Sequence, residues 1–331
     1  MKTTPEVSLV VTCRNNAQTI GECLRSLAEQ DYPKDAYEIV VIDANSTDDT
    51  MEIAKRFTSK VYSLPLNAAA AYNYAMKVVR FSVLGFVDAD AKVERTWLKK
   101  LVPRLNEPLV AGVSGSIETW NTDNPWARSI GYEITNRYHR LGKYASRIAT
   151  MNLLLKRDVI EETGGWDESF PSQYDTDFGY RISKLGYKIA YAPEAKCFHF
   201  NRPTLTAYWR QQLQYGKNTS RLYFKHRRLV RGDEITDVGM NIQPALLLIV
   251  ITFGLLGIAP LLRSLWYVSE VLMIVVTGYY IYSAAKISVK FCDNSAMRLV
   301  VLYFVRAWAW LCGAAITTFK SLFSNRRNRE T

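Results

Sequence analysis

Cysteine is scarce in this chain of 331 residues, and its five cysteines (Cys13, Cys23, Cys197, Cys292 and Cys312) stand far apart. No Cys-x-x-Cys pair occurs. An odd set of isolated thiols argues against a disulfide framework, and the missing pairs argue against a zinc site. A reduced, cytosolic setting is expected for whatever part is catalytic. An apolar leader is also missing. Residues 1–6 are polar and Val7 opens an apolar run, so no cleaved signal peptide is expected. Acidic residues are absent from 201–232, where eight lysines and arginines stand. The whole chain has 42 Lys and Arg against 31 Asp and Glu, a formal charge of +11. Such an excess suits nucleic acid, an anionic membrane surface or phosphorylated ligands. The basic stretch runs on into long apolar segments, so a membrane is the expected partner and nucleic acid is not.

What is present begins with residues 81–90, FSVLGFVDAD, an apolar run that stops at two carboxylates. A short apolar run without helical period reads as a buried strand. Buried strands of parallel sheets end at an edge where ligands bind. Asp88 and Asp90 are two residues apart, so both side chains can point to one side of that edge. Two hard oxygen donors there suit Mg²⁺ or Mn²⁺ shared with a diphosphate. Asp-x-Asp alone is common, and a strand followed by a polar turn is the competing reading.

Residues 7–13, 38–43 and 61–64 are further strands. Asn16 is placed to cap a helix with Ile20, Cys23, Leu24 and Leu27 on one face. An alanine-rich helix follows Asn67. Residues 109–117, 148–155 and 188–200 are the later strands, with a helix over about 126–141 and another after 174. Strands alternating with helices predict an α/β fold with a mostly parallel sheet. The strand ends at 12–15, at Asp43 and at Asp88 with Asp90 then converge on one crevice.

In order and spacing, several segments resemble the signatures of glycosyltransferase family 2. They are VSLVVTCRNN at 7–16, QDYP at 30–33, EIVVID at 38–43 with NSTD at 45–48, and DAD at 88–90. The resemblance covers roughly residues 5–215. It implies a GT-A fold (Rossmann-like, mostly parallel), a nucleotide-sugar donor, a divalent metal and inversion at the anomeric carbon. It implies donor contacts from Thr12, Arg14, Asn15, Asp43, Asn73 and Asp88, and metal contacts from Asp90 and His199. GGWDESF at 164–170 with YDTDFGY at 174–180 resembles the family's catalytic segment, so Asp175 maps onto the general base and Asp177 onto a supporting acid. Arg202 and Gln211 are supporting positions. Tyr72 stands where an Arg is usual and Tyr174 where a Glu is usual, and Ala44 follows Asp43 where Gly or Asp is usual. Gln211 to Tyr215 lacks the Gln-x-x-Arg-Trp of processive synthases, so one or a few sugars per cycle are expected. A positioned base suits a hydroxyl acceptor, because a sugar hydroxyl is a poor nucleophile until its proton is removed. A phosphate acceptor needs none, its second pKa being ~6.

At roughly 100° per residue, Arg210, Lys217, Arg221, Lys225 and Arg228 share one helical face, with Tyr208, Tyr215, Leu222 and Leu229 opposite. This predicts a helix lying in a membrane interface. Residues 245–262, 266–285 and 299–319 are apolar and about 20 long, as spanning helices require. The first two should form a hairpin around Arg263. Arg306, inside the third, is expected to snorkel or to meet a lipid phosphate. Three spans would place Arg326, Arg327 and Arg329 outside, against the positive-inside tendency, so either the third segment does not cross or the tail breaks the rule.

The expected plan is a glycosyltransferase domain over 1–200, divided at 108/109 into donor and acceptor halves. Basic interface helices follow over 201–240, membrane helices over 241–320 and a basic tail over 321–331. The expected activity is transfer of a hexose from GDP-mannose or a UDP-hexose to a lipid-linked acceptor, at the cell membrane, with the catalytic part cytosolic. The alternatives are a polyprenyl-phosphate acceptor and a non-catalytic scaffold that keeps the fold.

Overall fold

The computed structural model describes residues 4–147 and 149–327, with side chains to residue 320. The basic tail expected over 321–331 lies outside the described side chains. The chain divides into two units, residues 1–121 with 137–200, and residues 122–136 with 201–331.

The first unit begins with β1 (Val7–Cys13), which buries every residue but Thr12. Helix α1 (Ile20–Ala28) buries Ile20, Cys23, Leu24 and Leu27, a single i, i+3, i+4, i+7 face. It starts later than Asn16, whose side chain instead accepts from the Arg14 amide at 2.9 Å. Next come β2 (Tyr37–Asp43), α2 (Thr50–Lys55) and β3 (Val61–Ser63). Asn67 caps α3 (Ala68–Val78) by accepting from the Ala70 amide at 3.0 Å. Then follow β4 (Val83–Phe86), β5 (Ala91–Val93), α4 (Trp97–Leu101) and β6 (Val110–Thr119). After helix α5 (Pro125–Tyr138), which belongs to the second unit up to residue 136, come β7 (Tyr144–Ala145), β8 (Leu153–Lys156), α6 (Arg157–Thr163), α7 (Tyr174–Lys184) and β9 (Lys188–His199).

The nine strands form one sheet in the order β3-β2-β1-β4-β8-β6-β9-β5, with β7 also on β9. The first four are parallel. Beyond β4 the sheet is mixed: β8 runs antiparallel to both β4 and β6, β6 and β9 are parallel, and β5 is antiparallel to β9. The mostly parallel expectation therefore holds for the first half alone, because an apolar run records burial and not direction. The expected strand at 148–155 begins only at Leu153, after a short 3₁₀ turn over Thr150–Asn152; Ile148 itself lies outside the described residues. Register explains the site. Cys13 lies opposite Asp43, and Val10 opposite Phe86, so three strands end together. Their core includes Leu9, Val11, Leu24, Trp97, Val113 and Leu154, all fully buried.

In the second unit, α8 (Leu205–Lys225) is followed by α9 (Val238–Leu256), α10 (Arg263–Phe291) and α11 (Leu299–Arg327). Among the described residues three stretches, Val238–Leu256, Pro260–Phe291 and Asn294–Lys320, are long and apolar enough to cross a membrane. Helices α9 and α10 make the expected hairpin, tied where the Ser269 hydroxyl donates to the Val250 carbonyl at 2.7 Å. Arg306 does not snorkel. It is 3% exposed and donates to Glu133 at 2.6 Å and Gln243 at 3.2 Å. Sequence could not name Glu133, because that residue belongs to α5, more than 170 positions earlier. The apolar face of α8 is also covered. Tyr208, Leu222 and Leu229 are buried, and Tyr208 packs in a cluster with Leu299, Leu302 and Tyr303 of α11. Those residues therefore do not face lipid as the helical wheel predicted.

Candidate active site

Two loops at the strand ends are laced together. The Asn15 amide donates to the Ser46 hydroxyl at 2.8 Å, and the Asn15 side chain accepts from the Thr47 amide at 2.8 Å. The Asn16 amide donates to Thr50 at 2.7 Å and the Ala17 amide to Asp48 at 3.1 Å. Asn15 and Asn45 both adopt φ of 54°, a left-handed turn that asparagine tolerates. Asp43 anchors this floor. Fully buried, its carboxylate accepts from the Ser46 amide at 3.0 Å, the Ser63 hydroxyl at 2.8 Å and the Ser46 hydroxyl. Arg14 is exposed at the rim and Thr12 is half-buried beside it.

Beyond β4 the chain turns at Asp88 and re-enters the sheet as β5. Because β5 pairs antiparallel with β9, Ala91 lies opposite His199, and the Phe200 amide donates to the Asp90 carbonyl at 2.8 Å. The pairing sets His199 Nε2 3.5 Å from Asp90 Oδ1. Both side chains are recessed, 8% and 15% exposed. Asp88 accepts from the Tyr72 phenol at 3.1 Å. Burial, and then the charge of Asp90, push the Asp88 carboxyl up to about 7; His199 pulls it down and Asp175 adds a smaller push. The charge of Asp175 thus reaches Asp88, so the predicted base and the Asp-x-Asp carboxylates share one neighbourhood.

Asp175 is half-buried in the first turn of α7, where it accepts from the Thr176 amide at 2.8 Å. Asp177 is fully buried and acts as a brace. Arg181 bonds it at 2.9 Å and also donates to the carbonyls of Thr163 at 2.6 Å and Gly165 at 2.7 Å. Asn73 is a brace too. Its amide group donates to the Trp166 carbonyl at 2.8 Å and to Glu168 at 2.9 Å, and it accepts from the Trp166 amide at 2.9 Å. Gly165 must be glycine there: its φ is 72°, and a Cβ would stand 2.6 Å from Asn73 Oδ1.

Sequence reasoning missed the role of the two tyrosines. Tyr72 and Tyr174, where Arg and Glu were expected, meet with ring centroids 5.7 Å apart. Tyr72 also packs on Trp166 at 5.1 Å and Phe86 at 5.3 Å, and Trp166 stacks on Phe178 at 4.4 Å. Besides holding Asp88, the Tyr72 phenol hydrogen-bonds Thr150 at 3.4 Å and also Thr12. Burial raises it well above its ordinary range, so it stays protonated. The signal was in the sequence, since both departures from the family pattern were aromatic, but their contact is tertiary. Arg202 and Gln211 belong to the second unit.

Among the described residues no three His, Cys, Asp or Glu side chains stand close enough to hold a metal by themselves. Asp90 and His199 nevertheless converge as one oxygen and one nitrogen donor beside further carboxylates. That donor set fits an ion that takes its other ligands from a diphosphate, as Mg²⁺ and Mn²⁺ do.

Residues 8–164 match the family described as glycosyl transferase family 2. The glycosyltransferase AglE of Haloferax volcanii is 27% identical over 237 residues, 69% of this chain and 78% of that protein. Beta-monoglucosyldiacylglycerol synthase of Synechocystis sp. is 24% identical, over 68% of this chain but only 50% of the relative. Among solved structures, the mannosyltransferase PcManGT from Pyrobaculum calidifontis, in complex with GDP-Man and Mn²⁺, aligns with a TM-score of 0.60 at 18% identity. It covers 96% of this chain and 88% of that one. At that identity the likeness establishes the GT-A fold.

Proposed function

We propose that the chain is a glycosyltransferase of family 2, as the match of residues 8–164 supports, and that it moves one hexose from a nucleotide diphosphate sugar to a lipid-linked hydroxyl acceptor, with inversion. The observation that carries this is the convergence of Asp88, Asp90, His199 and Asp175 at the ends of β4, β9 and the start of α7. A mannosyl donor is the first choice because the structural neighbour was solved with GDP-Man. The lipid acceptor is supported by the synthase relative, named for a diacylglycerol product, and by the three apolar helices. The same helices support a multi-pass membrane location, and the catalytic unit is placed on the cytosolic side by its nucleotide-sugar donor.

In this reading Thr12, Arg14 and Asn15, with the loop that Asp43 anchors, receive the nucleoside. Asp175 takes the proton of the acceptor hydroxyl as its oxygen attacks C1 of the sugar. The bond from C1 to the diphosphate oxygen breaks on the opposite side, which inverts the centre. A divalent ion held by Asp90 and His199 would offset the charge that grows on the leaving diphosphate. Tyr72 keeps Asp88 in place, and Asn73 with Asp177 fixes the loop that presents Asp175. The test is Asp175→Asn. Transfer to a glycolipid acceptor should be lost while donor binding persists. Unchanged turnover would point instead to a phosphate acceptor, which needs no base.

A further inference from the structure

Three stretches are long enough to cross a bilayer, but α11 has a companion that should not be in one. Helices α8 and α11 lie side by side and parallel. Tyr208 packs with Leu302 and Tyr303. Further along, the Trp310 indole donates to Gln212 at 2.9 Å. Further still, the Thr317 hydroxyl donates to the Lys217 carbonyl at 2.9 Å. The backbones touch between these points: a Cβ on Gly216 would stand 2.5 Å from Trp310 Cα, and one on Gly313 would stand 2.6 Å from the Lys217 nitrogen. From Leu302 to Thr317 is about 22 Å of helix at ~1.5 Å per residue. Were α11 to span, α8 would enter the hydrocarbon at the same depth with Arg210, Lys217 and Arg221 on it. Charged side chains inside a bilayer are expensive, and they face a bundle interior or each other. Arg210 and Arg221 are exposed.

The faces of the helices agree. Helix α11 is two-sided. Val301, Trp308, Ile316 and Phe319 form one exposed apolar stripe, while Leu302, Arg306, Ala309 and Trp310 are buried. Helix α10 instead exposes a wider apolar face, with Val271, Ile274, Val275, Tyr279 and Ile281 among its residues, and buries only a strip that includes Tyr280 and Ala284. Its partner α9 has 19 residues, about 28 Å at the same rise and close to the hydrocarbon thickness of ~30 Å. The charges of α10 sit towards its ends: Arg263 and Glu270 near the hairpin tip, Lys286 and Lys290 near the base.

We infer that only the α9–α10 hairpin crosses the membrane, and that α8 and α11 together form a platform on the bilayer surface beside its base. The exposed stripe of α11 enters the acyl boundary, and α8 lies over it with its exposed cations on the far face, in water. Two crossings return the chain to the catalytic side, which removes the conflict between three spans and the arginines at 326, 327 and 329. The inference rests on the membrane reading and on no particular sugar.

The test uses the full chain with an epitope tag at each end, in membrane vesicles of known orientation. Both tags should be digested by added protease in inside-out vesicles and protected in right-side-out ones. In a background with Cys292→Ser and Cys312→Ser, Leu261→Cys at the tip, where Leu261 is 96% exposed, should react with a membrane-impermeant maleimide in the opposite set. Tags on opposite sides would overturn the inference, because α11 would then span. Labelling of the tip from the same side as the tags would overturn the crossing of the hairpin. Release of the protein by alkaline carbonate would overturn the membrane reading itself. The tagged chain carries no substitution, so its result stands even if the cysteine variant fails to fold.

Discussion

In the catalytic unit Asp88, Asp90 and Asp175 share one neighbourhood with a single imidazole, His199. In the membrane unit Arg306 is buried against Glu133 and Gln243. Both regions take charge out of water, and both bear the desolvation cost. The membrane unit balances that charge within itself, so its pair is a brace. In the catalytic unit like charges stand together, with Asp90 and Asp175 both raising Asp88, an arrangement suited to a cation. The difference teaches how to separate a site from a scaffold: ask whether a buried charge faces its opposite or its like.

Removing a group from the site of like charges should cost activity and spare the fold. Asp175→Asn should lower kcat by about 100- to 10,000-fold, the range for a positioned base, with the melting temperature unchanged. Asp90→Asn should lower turnover by about 100- to 1,000-fold, as loss of one electrostatic contact at developing charge does. It should leave thermal stability equal or higher, since a like charge is gone. Thermal scans of the two variants check both halves; a large loss of stability would break the comparison.

Removing one partner from the buried pair of opposite charges should do the reverse. Arg306→Met should cost about 3–5 kcal/mol of stability by leaving Glu133 buried and alone. The double variant Arg306→Met/Glu133→Leu should recover most of it, measured as detergent-solubilised melting temperature.

The smaller effects sharpen the contrast. The Asp88 carboxyl is raised from 3.8 to about 7, so the folded state binds more protons than the unfolded state between those values. Stability should therefore rise as pH falls from about 7 towards 4, and fall as pH rises through 7. Asp88→Asn should flatten that slope in a melting series from pH 5 to 8. Tyr72→Phe should be the mildest, about 1 kcal/mol for one hydrogen bond, seen as weaker donor binding with an intact fold.

Much of the site was legible in the sequence. Strands ending in Asp43 and in Asp88 with Asp90 could be read because an apolar run that stops at a carboxylate is a local pattern. The helix opened by Tyr174 and Asp175 was legible for the same reason. The sheet's second half was not, because β8 and β5 look like any short buried strand until their partners are known. Asn73 and Asp177 were placed at the site by position, yet their side chains hold the loop around Trp166. Arg306 was assigned to a lipid partner because Glu133 stands far away in the chain.

The order of strands and helices, the charge-free middle of the hairpin and the identity of the carboxylates were determined by the sequence itself, since each depends on neighbours within a turn or a strand. Which carboxylates share a field, which tyrosine holds Asp88, and whether the last apolar helix has a charged companion were decided only by the tertiary structure. Those depend on residues brought together across long separations, through pairings that local pattern does not encode.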